Sequence, residues 1–244
     1  MRHVVLALLA GCSATGAMAQ AGAPPKPATS ATIAAQQKQA AELPAEDGRD
    51  ADFADRGFVG TLADPIIKTK DGKPVWNLDA YAWMEGKSPD TVNPSLWRHM
   101  GLLRKHGLFA LSDNMWQVRG FDVSNMTVIK GATGWILIDP LTTRDTAAAA
   151  LRLVNEKLGA RPVSAVIYSH SHGDHFGGAR GVVDDDDVKA GKVAIIAPEH
   201  FLAETSSENV MAGSAMSRRA TFQFGTNLTP GPQGQMGSGI GKGI

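Results

Sequence analysis

The stretch VSAVIYSHSHGDHFGG, Val163 to Gly178, constrains the chain more than any other. Its first part, Val163 to Tyr168, is an apolar run of strand length, which predicts a strand buried in a sheet. Its second part sets three histidines and an aspartate within positions 170–175 of a chain that has only 7 histidines. In extended chain, residues two apart project to the same side, so the His170 and His172 imidazoles can converge on one cation just past the strand. Asp174 and His175 follow where the chain turns towards a helix, and they can serve a second cation close by. Two cations a few ångströms apart can clamp both the attacking and the leaving oxygen of an ester. Gly173, Gly177 and Gly178 let the backbone pass close to such a site. A lone histidine here would read as a helix cap or a loop hydrogen bond; three imidazoles directly after an apolar strand read as metal ligands.

The donor types narrow the metal. Cys12 is the only cysteine, so any ion must be held by nitrogen and oxygen. A nitrogen-rich set favours zinc, although iron or manganese would accept it. Lys and Arg (24) balance Asp and Glu (24), which argues against a nucleic-acid partner and in favour of a small molecule.

Around this stretch the chain changes texture several times. Met1 to Ala19 has a short basic start, an apolar run Val4 to Ala10 and a small-residue ending at Ala17-Met18-Ala19, the anatomy of a cleaved secretory signal. The apolar run is too short to span a bilayer. Leu9 to Cys12, LAGC, also fits a lipoprotein cleavage site with Cys12 lipidated, so the expected location is exported, periplasmic or secreted, with a lipid anchor as the alternative. Residues 20–33 read as a Pro- and Ala-rich linker. Ala31 to Ala41 is able to start a helix, and the charged chain after it, broken by Pro44 and Gly48, reads as irregular. Residues 34–107 are expected to form an arm, with a hairpin at Asp71-Gly72 between Ile66 to Lys70 and Pro74 to Leu78. Residues 108–244 carry the main domain. There Asn114 to Arg119, Met126 to Lys130 and Trp135 to Asp139 predict strands. Thr143 to Leu158 predicts a helix on the spacing of Leu151, Val154 and Leu158, stopped by Gly159. Val193 to Ala197 predicts another strand. Strands followed by strand–helix–strand units predict an α/β chain with a mixed sheet covered by helices.

His170, His172, Asp174, His175 and the following Gly177-Gly178 match the HxHxDH(x)GG signature, and on it the chain resembles the metallo-β-lactamase superfamily. The resemblance implies an αββα sandwich with a two-metal site at its edge, incomplete here at the C-terminus. Longer blocks, TVNPSLWR (Thr91 to Arg98), VRGFDVSNMTVI (Val118 to Ile129), GWILIDPL (Gly134 to Leu141) and SENVMAGSAMSRRA (Ser207 to Ala220), are similar to linear alkylsulfatases that hydrolyse dodecyl sulfate. That similarity runs from about Ala34 to Gly241 and implies hydrolysis of an alkyl sulfate to alcohol and sulfate, with two Zn2+ per complete site. Another ester hydrolase of the same superfamily and a non-catalytic exported metal-binding fragment are the alternatives.

Individual residues divide between readings. Asp139, ending a strand before Pro140, is placed either to accept a hydrogen bond from a ligand imidazole or simply to form a turn; the resemblance favours the first. Glu208 is expected on a helix surface or at a cap, because the family's further ligands, two glutamates and a histidine, lie downstream. Arg218 and Arg219 are expected to be solvated or ion-paired. The run Asp184 to Asp187 lacks the ligand spacing of a calcium loop and is expected as acidic surface. No residue is assigned as catalytic acid or base. Compared with that family the sequence is expected to be truncated, without the region through which complete members dimerise. Four donors from one loop are too few to close two metal sites, and an apolar sheet face is expected to be exposed.

Overall fold

Three of the described helices begin where a side-chain oxygen meets the free first-turn N–H groups. The structure, a computed structural model, describes residues 26–239; the leader and its Cys12 lie outside the described residues. Thr29 accepts from Thr32 N at 3.2 Å and opens helix α1, Ser30–Glu42, whose first turn falls in the stretch expected as linker and whose body is the segment Ala31 to Ala41, expected to be able to start a helix. Helix α2, Arg49–Asp55, occupies the charged stretch expected to be irregular. Gly48 does not interrupt it. At φ +80° Gly48 is the left-handed residue from which α2 starts, a conformation that glycine adopts without steric cost.

Strand β1 (Phe58–Gly60) is followed by β2 (Ile66–Lys68) and β3 (Pro74–Asn77), which pair antiparallel as the predicted hairpin. Helix α3 (Pro94–Leu103) is capped by Asn93, whose Oδ1 accepts from Ser95 N and Leu96 N. Strands β4 (Gly107–Ser112), β5 (Met115–Arg119), β6 (Met126–Lys130) and β7 (Trp135–Ile138) form an antiparallel meander. Helix α4 (Arg144–Leu158) then crosses over to β8 (Val163–Ile167), which pairs with β7 in parallel. After the short α5 (Asp185–Lys189) the chain adds β9 (Ala194–Ile196), parallel to β8. The seven-stranded sheet is thus mixed, in the order β1-β4-β5-β6-β7-β8-β9. The chain ends its regular structure with α6 (Phe201–Ser207), a π-helical turn Glu208–Ala212, and α7 (Gly213–Phe224).

One face of the sheet makes the core. Leu108, Val118, Val128, Leu137 and Val166 pack with Ala147, Ala150, Leu153 and Val154 of α4, and Ile67 and Trp76 of the hairpin join the same cluster. Trp76 Nε1 donates to Gly120 O at 3.0 Å, which ties the hairpin to the end of β5. The alternate residues Thr127, Ile129, Ile136, Ile138 and Ile167 on the other face are half-buried, and all three residues of β9 are exposed. An apolar run such as VSAVIY predicts burial on both faces, but among the described residues only Val166 of β8 is fully buried. The helix layer covers one side of the sheet, and that leaves the second face open.

Two truncations separate core from surface. Leu153→Ala should lower unfolding stability by about 2–5 kcal/mol, the range for emptying a buried leucine site. Leu202→Ala, at a side chain 79% exposed, should stay within about 0.5 kcal/mol. Urea denaturation followed by circular dichroism reads both, and equal losses would mean that α4 does not sit on the sheet as described.

Candidate metal centre

Strands β7 and β8 run in parallel, so both deliver their carboxyl ends to the same edge of the sheet, where open α/β sheets bind ligands. Asp139 leaves β7 and Ser169 leaves β8, and Asp139 N donates to Ile167 O at 3.0 Å. The Asp139 carboxylate then collects three donors: Ser169 N at 2.8 Å, Ser169 Oγ at 2.6 Å and His175 Nδ1 at 2.8 Å. Because Ser169 spends its one hydroxyl proton on Asp139, its oxygen can only accept from His170 Nδ1, 2.9 Å away. A single carboxylate therefore sets two imidazoles, His175 directly and His170 through Ser169. Both are held with Nδ1 protonated and Nε2 available.

The candidate residues are brought together unevenly. Ligand atoms of Asp139, His170 and His175 lie within 4.8 Å of one another, the one such group among the described residues. Ring centroids of His170 lie 4.1 Å from His175 and 4.6 Å from His172. Asp174 Oδ2 is 3.2 Å from His175 Nε2. His172 stands outside the tight group, half exposed, with Nε2 at 3.1 Å from Glu208 Oε1. Glu208, expected on a helix surface, thus faces a candidate ligand. Three imidazoles and two carboxylates this close form the donor chemistry that a divalent cation satisfies.

The loop carrying these residues is held by close backbone approach. Leu141 O accepts from Gly178 N at 2.9 Å. A Cβ on Gly178 would lie 2.1 Å from Pro140 O, and one on Gly177 2.3 Å from Thr142 O. The facing segment is itself strained, since Asp139 and Leu141 have φ of +56° and +65°, at a cost of about 1–3 kcal/mol each. Asp122 pins it. This carboxylate, 4% exposed, accepts from Val123 N at 2.7 Å, Thr142 N at 3.1 Å, Thr146 Oγ1 at 2.7 Å and the Thr142 hydroxyl. Beside it the Ser124 hydroxyl donates to Asp174 O. Neither Asp122 nor Ser124 was assigned a role from the sequence; both lie in the block VRGFDVSNMTVI, whose resemblance to the family does not say which of its residues reaches the site. Below the loop, Tyr168 packs against Phe176 and Phe201 at 5.9 and 5.3 Å, and burial pushes its phenol above the ordinary value.

The remaining candidates lie at the surface. Arg218 and Arg219 are exposed on α7. In the acidic run, Asp185 pairs with Arg180 through two contacts of 3.0 and 3.1 Å and Asp187 with Lys192 at 2.8 Å, as expected of a solvated helix start.

A mixed sheet whose parallel edge presents this donor set defines a class, and residues 119–237 match the metallo-beta-lactamase superfamily. Among known proteins the chain is similar to alkylsulfatases. It is 49% identical over 218 residues to a linear primary-alkylsulfatase of Pseudomonas sp, which covers 88% of this chain and 32% of the relative. It is 47% identical over 212 residues to an alkyl/aryl-sulfatase of Saccharomyces cerevisiae, covering 86% and 33%. The solved structure of the stereoselective inverting sec-alkylsulfatase Pisa1 from Pseudomonas sp. superposes with a TM-score of 0.84 at 44% identity, over 90% of this chain and 34% of that one. The chain spans about a third of the length of the curated relatives it matches. Superfamily and donor group together indicate a divalent metal ion.

Two substitutions test this construction. Asp139→Asn replaces an acceptor of three donors by a group that cannot serve them all, and divalent-metal affinity should fall roughly 10–100-fold, as read by competition with a chromogenic chelator. Gly178→Ala should destabilise the chain by at least about 1–3 kcal/mol through backbone overlap, whereas Gly173→Ala, whose Cβ meets nothing within 4 Å, should be close to neutral. Equal effects of the two alanines in urea denaturation would refute the close approach.

Proposed function

We propose that this chain supplies the His- and Asp-bearing wall of a metal site that hydrolyses alkyl sulfate esters to an alcohol and inorganic sulfate. The observation that carries the reading is the convergence of His170, Asp174 and His175, with His172 beside them, at the end of β8 in a chain 49% identical to a linear primary-alkylsulfatase. His170, His172, Asp174 and His175 are the ligands in this reading, and Asp139 orients His170 and His175. Zinc is the ion that the nitrogen-rich set favours, two per complete site. Bound there, a divalent cation would supply Lewis acidity at water and sulfate oxygens.

The residues of this chain would do the rest of the work described here. Asp139 and Ser169 engage Nδ1 of two rings and so leave Nε2 to face an ion, and the Gly177-Gly178 contact holds the loop against Pro140 to Thr142. The inverting course named for Pisa1 supports attack on carbon: water oxygen joins carbon, the C–O bond breaks, and sulfate leaves with all four of its oxygens. Export through the Met1 to Ala19 leader, with lipidation of Cys12 as the alternative, is part of the same proposal and rests on sequence alone. Among the described residues no helix is long and apolar enough to cross a membrane.

A second reading, metal binding without turnover, is favoured by one feature: four ligands do not fill two tetrahedral coordination spheres. The tests separate the two. With dodecyl sulfate, the first reading expects sulfate release that a chelator stops and that His172→Ala abolishes. Reaction in 18O-labelled water should place the label in the alcohol. Robust lactam or phosphodiester turnover without sulfate release would overturn the substrate, and metal uptake without any turnover would leave the second reading standing.

A further inference from the structure

His170 and His175 owe their orientation to Asp139, but His172 has no contact with that carboxylate. Its ring is held from the opposite element. His172 Nε2 lies 3.1 Å from Glu208 Oε1, within the range of a charge-assisted hydrogen bond. The same 3.1 Å would suit two donors on a common cation, so the distance alone does not decide the role of Glu208. The wider geometry does. Glu208 belongs to no group in which three ligand atoms lie within 4.8 Å of one another, whereas Asp139, His170 and His175 do. His172 also stands outside that tight group, so Glu208 acts on the ring of His172 and not on the three residues gathered around Asp139.

The helix carrying Glu208 adds an independent observation. Between α6 and α7 the hydrogen-bonding pattern widens to a π turn over Glu208–Ala212. Such a turn inserts an extra residue and re-aims the side chains around it, and π turns recur at functional sites. Here the π turn opens with Glu208, whose side chain is 27% exposed. A cavity of about 280 Å³ lies beside the pair, lined among others by His172, Asp174, Glu208 and Met216.

We propose that Glu208 is a positioning residue that accepts a hydrogen bond from His172 Nε2–H and so leaves Nδ1 as the metal-facing nitrogen of His172. This inference rests on the metal-site reading above. It makes His172 differ from its neighbours, which present Nε2. The carboxylate holds the plane of the imidazole, as outer carboxylates do around metal-ligating histidines. Glu208 is within reach because α6 and α7 pass over the loop, so the segment after β9 contributes to a site whose ligands all follow β8.

The test reads tautomer and affinity separately. In 15N-labelled protein at about pH 8, where free imidazole is neutral, two-bond 1H–15N spectra of the metal-free chain should show His172 protonated on Nε2. Glu208→Ala should mix its tautomers, and Glu208→Gln, whose carbonyl can still accept, should restore most of the wild-type pattern. Zinc affinity by chelator competition should fall roughly 10–100-fold in Glu208→Ala and only a few-fold in Glu208→Gln, with unchanged circular dichroism. His172 protonated on Nδ1, or tautomers indifferent to both substitutions, would overturn the inference, as would zinc affinity unchanged or raised in Glu208→Ala. Absence of zinc uptake by the wild-type chain would instead strike the metal-site reading, while the metal-free spectrum would still decide the role of Glu208.

Discussion

The Asp139 carboxylate is the point on which the site depends. It closes the ends of two parallel strands by accepting from Ser169 N, and through the Ser169 hydroxyl and His175 Nδ1 it sets two rings. Neutral imidazole has one donor and one acceptor nitrogen, so whichever nitrogen is engaged decides which one can bind a cation. A carboxylate with three donors already in place has little capacity left to act as a ligand itself. That is why membership of Asp139 in the tight group with His170 and His175 is better explained by orientation than by coordination.

Holding Asp139 in place has a cost, and the surrounding structure offsets it. The backbone adopts positive φ at Asp139 and again at Leu141, conformations unfavourable to residues with a Cβ. The Leu141 side chain is fully buried, the Leu141 carbonyl is taken by Gly178 N, and Asp122 satisfies the Thr142 N–H and two hydroxyls at the start of α4. Strain at the turn is thus set against burial and hydrogen bonds that are lost if the turn relaxes. The same contacts fix the distance between the Asp139 turn and the His-bearing loop, so packing of the core below and geometry of the site above are coupled.

How much of this was legible in the sequence follows from how local each signal is. The hairpin at Asp71-Gly72, the helix ending at Gly159 and strands β5 to β8 are written in turn residues and apolar periodicity within a few positions, and the structure has them. Helix α2 was obscured because Pro44 and Gly48 read as breakers, when Gly48 in fact starts α2. Candidate ligands 170–175 were visible as a cluster in one loop. Asp122, Ser124 and Ser169 were not, since their roles come from pairing across 20 to 50 positions of chain. Glu208 was expected on a helix surface or at a cap, and it does cap α6; its contact with His172 was not legible, because it comes from a π turn at Glu208–Ala212 that no local pattern announces.

The division of labour between loop and surroundings bears on specificity. The histidines and Asp174 are chemically generic, able to hold a cation for any ester that reaches them. On the proposed function, discrimination between esters comes from the walls of the cavity beside them, where the described lining comes from the His-bearing loop and from Glu208 to Ser217 of the last helical segment. This second wall is less securely anchored than the first. Leu202, Val210, Met211 and Phe222 along it are between 79 and 90% exposed, and β9 beneath it has no buried residue. A wall with so little core under it adapts its shape more readily than the Asp139 turn can. On the proposed function, the rigid half of the site sets where the metal sits, and the compliant half sets what can approach it.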